Sequence, residues 1–232
     1  MYIGIIGSGH VAQVLGGRLL EFGNEVMISS RDPSAGKHEG DERAIPSADD
    51  WVSANHELGL SGAAAGGFAD AAAFGEVLIN ATAGKWSLDA LGAAERGDIE
   101  GKIVIDLANP LDFSGGQLTL AFCNTESLGE RIQQAYPEAR VVKTLNTVNV
   151  NVMIAPQDLA EETDMFVAGD DAVAKAWVAE DLLKDWLGWR RVIDLGDITG
   201  SRALEMYLPL WARLWGAAGS GVLNVRVVQG RK

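Results

Sequence analysis

Met1-Tyr2-Ile3-Gly4-Ile5-Ile6-Gly7-Ser8-Gly9-His10-Val11-Ala12 opens the chain, and its reading decides the fold. Tyr2 to Ile6 is a short apolar run with the length and composition of a buried strand. Gly7-Ser8-Gly9 breaks it. Val11 to Phe22 then carries Val11, Val14, Leu15, Leu19 and Phe22 on one side of a helical period. Gly23-Asn24 stops the helix, and Glu25 to Ser29 supplies a second strand. The spacing Gly7-x-Gly9-x-x-Ala12, placed between a strand and a helix, is that of a dinucleotide-binding turn. Gly7 permits the tight turn, Gly9 lets the backbone approach a pyrophosphate, and Ala12 lets the helix lie close to the strand. Free N–H groups at the helix start then face the phosphates. The bland alternative is a glycine turn with no ligand.

The end of the second strand selects the nucleotide. An NAD site usually places Asp or Glu there, to accept from the ribose 2′-OH. This chain has Ser29-Ser30-Arg31 instead. A hydroxyl and a guanidinium suit a 2′-phosphate, so NADP is expected over NAD. Asp32 follows one residue later and keeps NAD open as the alternative. Lys37, in the next loop, is a candidate second positive charge or a solvated surface lysine.

Outward from this opening, strands alternate with helices. Strands are predicted at 76–80, 102–106, 140–144, 164–168 and 191–194. Helices are predicted at 48–58, 86–96, 128–136, 171–187 and 201–215, with a short helical or turn segment at 69–74. Repeated alternation of this kind predicts an α/β fold built on a Rossmann-type parallel sheet, with a smaller, mainly helical C-terminal part. The boundary is placed so that 1–155 forms the nucleotide-binding domain and 156–232 a small C-terminal α/β domain. Loops at the carboxyl ends of parallel strands line the ligand crevice. Thr82, after the third clear strand, and Asn109 and Pro110, after the fourth, are therefore candidates beside a nicotinamide, with ordinary loop roles as the alternative. Asp106 is expected to cap local backbone.

Val141 to Asn151 is the most unusual stretch: an apolar strand running into a loop that carries Asn146, Asn149 and Asn151. Their amides offer donors and acceptors that could orient a planar heterocycle. Asx turns are the plainer reading. No acid–base constellation stands out. His10, His38 and His56 are scattered, no hydrolase elbow is present, and no catalytic residue or metal site is predicted. Hydride transfer between bound rings demands alignment and exclusion of water more than a strong base.

The 232 residues are 47% hydrophobic, which argues against disorder. A net charge of −13 argues against nucleic acid as a partner. The single Cys123 can form no internal disulfide. Met1 leads directly into the first strand, with no signal peptide pattern, and no apolar run approaches a membrane span, so a cytoplasmic location is expected. Trp177, Trp186, Trp189, Trp211 and Trp215 are expected as core or dimer-interface anchors.

These motifs resemble the NADPH-dependent coenzyme F(420) reductases, and the opening domain is also similar to the NADPH-binding domain of ferric reductases. The marks are Gly7-Ser8-Gly9, Ser30-Arg31, Val142-Lys143-Thr144-Leu145-Asn146-Thr147, Ala168-Gly169-Asp170-Asp171, Ile193-Asp194-Leu195-Gly196 and Ser201-Arg202, leading into Glu205. The resemblance implies that Ser8, Gly9, His10, Val11, Ser30 and Arg31 hold NADP(H). It implies that Asn146, Val148, Asn149 and Val150 cradle the deazaflavin coenzyme F(420), with FAD or FMN as alternatives, and that hydride passes between the two rings. A homodimer, with the C-terminal part closing the cleft, is implied as well. Two departures stand out: archaeal reductases of this type carry histidine at the Asn146 position and proline at the Asn149 position. The alternatives are an NADP-dependent reductase of a small imine or carbonyl compound and a non-catalytic NADP sensor whose cleft is plugged by Trp86 or by Trp211 and Trp215.

Overall fold

The computed structural model describes residues 1–36, 44–116 and 118–230; the candidate Lys37 lies outside them. β1 (Tyr2–Ile6) leads through the glycine turn into α1 (His10–Glu21), and the chain returns as β2 (Glu25–Ser29). α2 (Ala48–Glu57), β3 (Ala63–Gly66), α3 (Phe68–Phe74) and β4 (Val77–Asn80) follow. Then come α4 (Ser87–Leu91), β5 (Ile103–Asp106), a small hairpin of β6 (Leu111–Asp112) and β7 (Thr119–Leu120), α5 (Leu128–Ala135) and β8 (Arg140–Thr144). The chain ends with α6 (Val150–Ile154), β9 (Asp164–Ala168), α7 (Ala172–Trp177), β10 (Arg191–Asp194), α8 (Ser201–Met206) and α9 (Leu208–Ala218).

All strands but the hairpin's join one eight-stranded sheet in the order β10-β9-β8-β5-β4-β1-β2-β3. The order reverses direction at β1, between β2 and β4, which is where an open α/β sheet forms its ligand crevice. Along that order β8, β5, β4, β1, β2 and β3 pair in parallel, while β9 runs antiparallel to β8 and carries β10 parallel to itself. The parallel pattern thus stops at β8. The link to β9 carries only the five-residue α6, packed against α1, in place of a helix long enough to run back along the sheet.

Each face of the sheet buries its own core. α1, α2, α6 and α7 pack Leu15, Leu19, Trp51, Val152 and Ala174 on one face, and α3, α4 and α5 pack Ala71, Leu91 and Ile132 on the other. Helices on both faces explain why the central strands read as continuous apolar runs. Ser47 begins α2 with a reciprocal capping box to Asp50, and Ser127 and Asp171 cap α5 and α7.

Three helices differ from expectation. The 86–96 helix shrinks to α4, because Gly92 follows directly and the chain turns. The 201–215 helix breaks at Tyr207, since Pro209 lacks an N–H and favours the first turn of a new helix. The 171–187 helix begins as α7 but widens at Val178–Trp186 into π-type turns, marked by the Leu187 N–H bonding Leu182 O at 3.0 Å. Trp177 and Trp186 would lie about two and a half turns apart in an α-helix, on opposite faces. The wider turns bring them together at 5.7 Å, and Trp186 stacks at 6.5 Å on Phe22 at the end of α1. Of the C-terminal tryptophans, Trp189 is fully buried, whereas Trp215 on α9 is half exposed.

Candidate active site

The glycine turn is built as its sequence requires. Gly7 has φ +132, and a Cβ there would lie 2.7 Å from Ala81 O, so a side chain is excluded both by backbone conformation and by the loop after β4. Ala12, in the first turn of α1, is fully buried. Gly9 is the N-cap of α1, and no side chain caps that helix end. Among the described residues, a Cβ on Gly9 would meet no atom within 4 Å, so they leave space open above it. A helix start with uncommitted N–H groups and open space over its capping glycine fits a dinucleotide pyrophosphate. His10 is exposed, Ser8 is buried, and Val11 is partly buried.

At the end of β2, the Ser29 hydroxyl is spent inside the fold: it donates to Ile5 O at 2.8 Å and accepts from the Gly7 N–H at 3.4 Å. The Ser30 hydroxyl, in contrast, has no partner among the described residues. Arg31 is exposed beside it. Asp32 turns away into an Asx turn, accepting from the Ser34 hydroxyl at 2.6 Å and its N–H at 3.1 Å. Those bonds hold its carboxyl below the ordinary value. With its Oδ1 committed to Ser34, Asp32 is poorly placed to serve as the ribose acceptor of an NAD site, and the exposed Arg31 guanidinium suits a 2′-phosphate.

The carboxyl ends of β4, β5 and β8 close on a cavity of about 240 Å³. Its walls include Val11, Thr82, Asn109, Asn146, Val148 and, from α9, Leu208 and Trp211. Its mostly apolar lining has no titratable side chain among the described residues. Gly84 makes it possible for the loops after β4 and β5 to touch, since a Cβ there would lie 2.2 Å from Asn109 O. A larger groove, about 380 Å³, runs along α1 and α2. It contains none of the candidate residues and is shallow, so chemistry is assigned to the smaller cavity at the strand ends.

Asn109 and Asn146 are locked together across the cavity wall. Asn109 Nδ2 donates to Asn146 O at 2.9 Å, and Asn146 Nδ2 donates to Asn109 Oδ1 at 2.9 Å. Asn146 Oδ1 and Thr147 Oγ1 are buried without partners among the described residues. Leu145 holds a left-handed φ of +60, unfavourable for a branched side chain, to turn the loop. Asn149 takes the plainer role foreseen for this loop: its Oδ1 accepts from the Val152 N–H at 3.0 Å and caps α6. Asn149, Val150 and Pro110 lie outside the cavity lining.

Behind the cavity sits a buried charge cluster that the sequence did not announce. Lys143 is fully buried in β8, in register with Asp106 of β5. Its ammonium donates to Asp106 Oδ2 and Glu205 Oε1, each at 2.8 Å, and to Ala108 O. Burial works against that charge, but the two carboxylates outweigh it and hold the Lys143 pKa above its ordinary value. Burial pushes the Glu205 carboxyl up, against the pull of Lys143. Asp106 Oδ1 accepts from Asn80 Nδ2 at 2.8 Å and from the Ala108 N–H at 3.1 Å, so it does cap local backbone. Asn80 Oδ1 accepts from the Thr82 hydroxyl at 2.8 Å. The legible signal was Lys143 inside an apolar strand, since a buried charge demands a partner.

The fold and this site define a dinucleotide-binding protein of the Rossmann class. The family described as coenzyme F420-dependent NADP oxidoreductase matches residues 2–110. A solved structure of a candidate F420-dependent NADP reductase from Arthrobacter sp. FB24 is 44% identical, with a TM-score of 0.88, over 99% of this chain and 100% of that one. A Sinorhizobium meliloti protein of unassigned function is 25% identical, with a TM-score of 0.62, over 87% of this chain and 88% of that one. A reductive aminase from Aspergillus terreus, solved with NADPH and ethyl levulinate, shares the fold at 16% identity and a TM-score of 0.60. The likeness covers 94% of this chain but 62% of the aminase. No match is found among curated proteins. The chain belongs to the coenzyme F420-dependent NADP oxidoreductase family. It is an NADP(H)-utilising oxidoreductase. Among the described residues no helix is long and apolar enough to cross a membrane.

Proposed function

We propose that this chain transfers hydride between NADP(H) and the deazaflavin coenzyme F(420), in the cavity at the ends of β4, β5 and β8. The observation that carries the reading is the cavity's composition: it begins at Val11 in the first turn of α1 and offers apolar walls, an interlocked amide pair and, among the described residues, no titratable group. NADP(H) supplies or takes the hydride. The first turn of α1 holds its pyrophosphate, and Ser30 and Arg31 hold its 2′-phosphate. Asn109 and Asn146 set the wall against which the second ring lies, and Leu208 and Trp211 exclude water from above. Hydride delivered to an extended conjugated ring leaves a charge that the ring can spread, so no proton donor is needed in the cavity at that step. Reduction of a simple imine or carbonyl leaves a localised charge and needs such a donor. This separates the deazaflavin reading from the small-substrate one. Trp211 lines the cavity of about 240 Å³ rather than filling it, which argues against a pure sensor.

The test follows NADPH oxidation by rapid-mixing absorbance with oxidised coenzyme F(420), FAD, FMN or a cyclic imine in separate runs. Loss of NADPH with F(420) alone is expected. Turnover of FAD or FMN moves the assignment to a flavin reductase. Turnover of the imine alone overturns the deazaflavin reading.

A further inference from the structure

We infer that Lys143 and Glu205 are positioning residues for hydride transfer, fixing three walls of the cavity around one buried ammonium. The inference rests on the cavity being the site of reaction.

The connections can be followed bond by bond. The first wall is the loop after β5: Lys143 bonds Ala108 O from one side while Asp106 bonds the Ala108 N–H from the other. Leu107, Ala108 and Asn109 of that loop line the cavity. The second wall is the loop after β4. Asp106 holds Asn80, whose Oδ1 accepts from Thr82, and the Thr82 and Ser87 hydroxyls lie 2.7 Å apart. The third wall is the C-terminal helix pair. Glu205 lies on α8, and Leu208 and Trp211 follow it at the start of α9.

Glu205 does more than neutralise. Its Oε2 accepts from the Leu128 N–H at 2.9 Å, and its Oε1 accepts from the Gly129 N–H at 3.2 Å as well as from Lys143. One carboxylate therefore ties α8 to the start of α5 and to β8 together. Both carboxylate oxygens are aimed at donors. Arg202, a turn earlier on α8, grips Glu130 of α5 with its Nε at 2.8 Å and fixes the same helix from a second point. A structural core would be served as well by apolar packing, and a buried ion cluster is often no more stable than its apolar replacement. What the cluster adds is a defined distance between loops and helix, since each bond has a narrow range of length and angle.

Lys143→Met strands two buried carboxylates and is expected to impair folding, so Glu205→Gln is the working variant. A glutamine accepts with only one arm. With its oxygen on Lys143 and Gly129, its NH₂ confronts the Leu128 N–H, and α8 must shift. The fold and the glycine turn are untouched by this shift.

The experiment compares folded wild type and Glu205→Gln for NADPH affinity, for turnover with coenzyme F(420), and for energy transfer from Trp211 to bound NADPH. Trp211→Phe, made in each background, isolates the last signal from the other tryptophans. Unchanged NADPH affinity, a kcat lowered by about tenfold or more and a changed Trp211 signal are expected. Arg202→Ala, which loosens α8 from outside the cluster, should give a smaller change of the same kind. If Glu205→Gln lowers only thermal stability, with kcat and the Trp211 signal unaltered, the cluster is structural and the inference is overturned. If wild type fails to turn over F(420), that defeats the proposed reaction alone. The Trp211 signal still decides whether Glu205 sets the wall. Should Glu205→Gln not fold, Arg202→Ala carries the same two readouts, and no change in either overturns the inference.

Discussion

Gly7 and Gly9 flank Ser8 and answer opposite questions. At Gly7 the backbone sits at φ +132 and the loop after β4 crowds the Cβ position. Gly7→Ala should therefore destabilise the fold by about 1–3 kcal/mol or more, read by chemical denaturation, with both strain and a backbone clash contributing. At Gly9 the φ is −74 and the space is open. Gly9→Val should leave the denaturation midpoint nearly unchanged yet weaken NADPH binding by about tenfold or more, since the side chain fills the phosphate approach. Undiminished NADPH binding by Gly9→Val would remove the pyrophosphate from this turn. Arg31 discriminates at the other end of the nucleotide. Its loss removes charge-assisted bonds worth about 1.5–3 kcal/mol, so Arg31→Ala should weaken NADPH binding by roughly ten- to a hundredfold and leave NADH binding alone. A fluorescence titration in which both nucleotides weaken equally would assign Arg31 a different role.

At the scale of elements, β5 and β8 depend on their buried ion cluster in a pH-dependent way. The folded state holds Lys143 above its ordinary value of 10.5, so the lysine binds its proton more tightly folded than unfolded. Its contribution is fully present below that ordinary value and is lost as pH rises through the folded one. Unfolding followed by circular dichroism should thus show a loss of stability above about pH 10.5, and Lys143→Met should lower stability by about 3–5 kcal/mol at neutral pH and abolish that alkaline dependence. An alkaline limb unchanged in Lys143→Met would place its origin elsewhere. This cluster also marks where sequence reading stopped. β2, β8, β9 and β10 were legible to the residue, because their apolar runs end sharply in polar or glycine residues. β3, an Ala63-Ala64-Ala65-Gly66 edge strand, was missed because alanine and glycine carry no strand signal. The rule that loops at strand ends converge pointed to Thr82 and Asn109, and the unusual loop after β8 pointed to Asn146, whereas Val11 and Val148 came from the family resemblance alone. Leu208 and Trp211 were not placed there, because nothing local in α9 says that it folds back over those loops. The ion cluster needed the register of β5 with β8, a long-range fact that pairs Asp106 with Lys143.

For the whole molecule, the net charge of −13 sets the terms on which copies of the chain can meet. Like-charged molecules repel, and any self-association must use the surface where charge is least. α9 is a candidate of that kind, since its Leu208–Ala218 sequence carries Arg213 alone among charged residues. Leu208 and Trp211 face the cavity, while Leu210, Leu214 and Trp215 stand exposed on the same helix. Exposed apolar side chains clustered on one helix are often covered by a partner. A homodimer through α9 would cover them and press the helix onto the cavity. Added salt should then strengthen association, by screening the general repulsion without weakening an apolar contact. Leu214→Glu combined with Trp215→Glu should shift sedimentation toward the monomer and leave NADPH affinity intact, because neither residue lines the cavity or the glycine turn. A wild-type chain that sediments as a monomer at both low and high salt would leave α9 to another occupant, and an unaltered dimer in the double variant would move the interface to a different face.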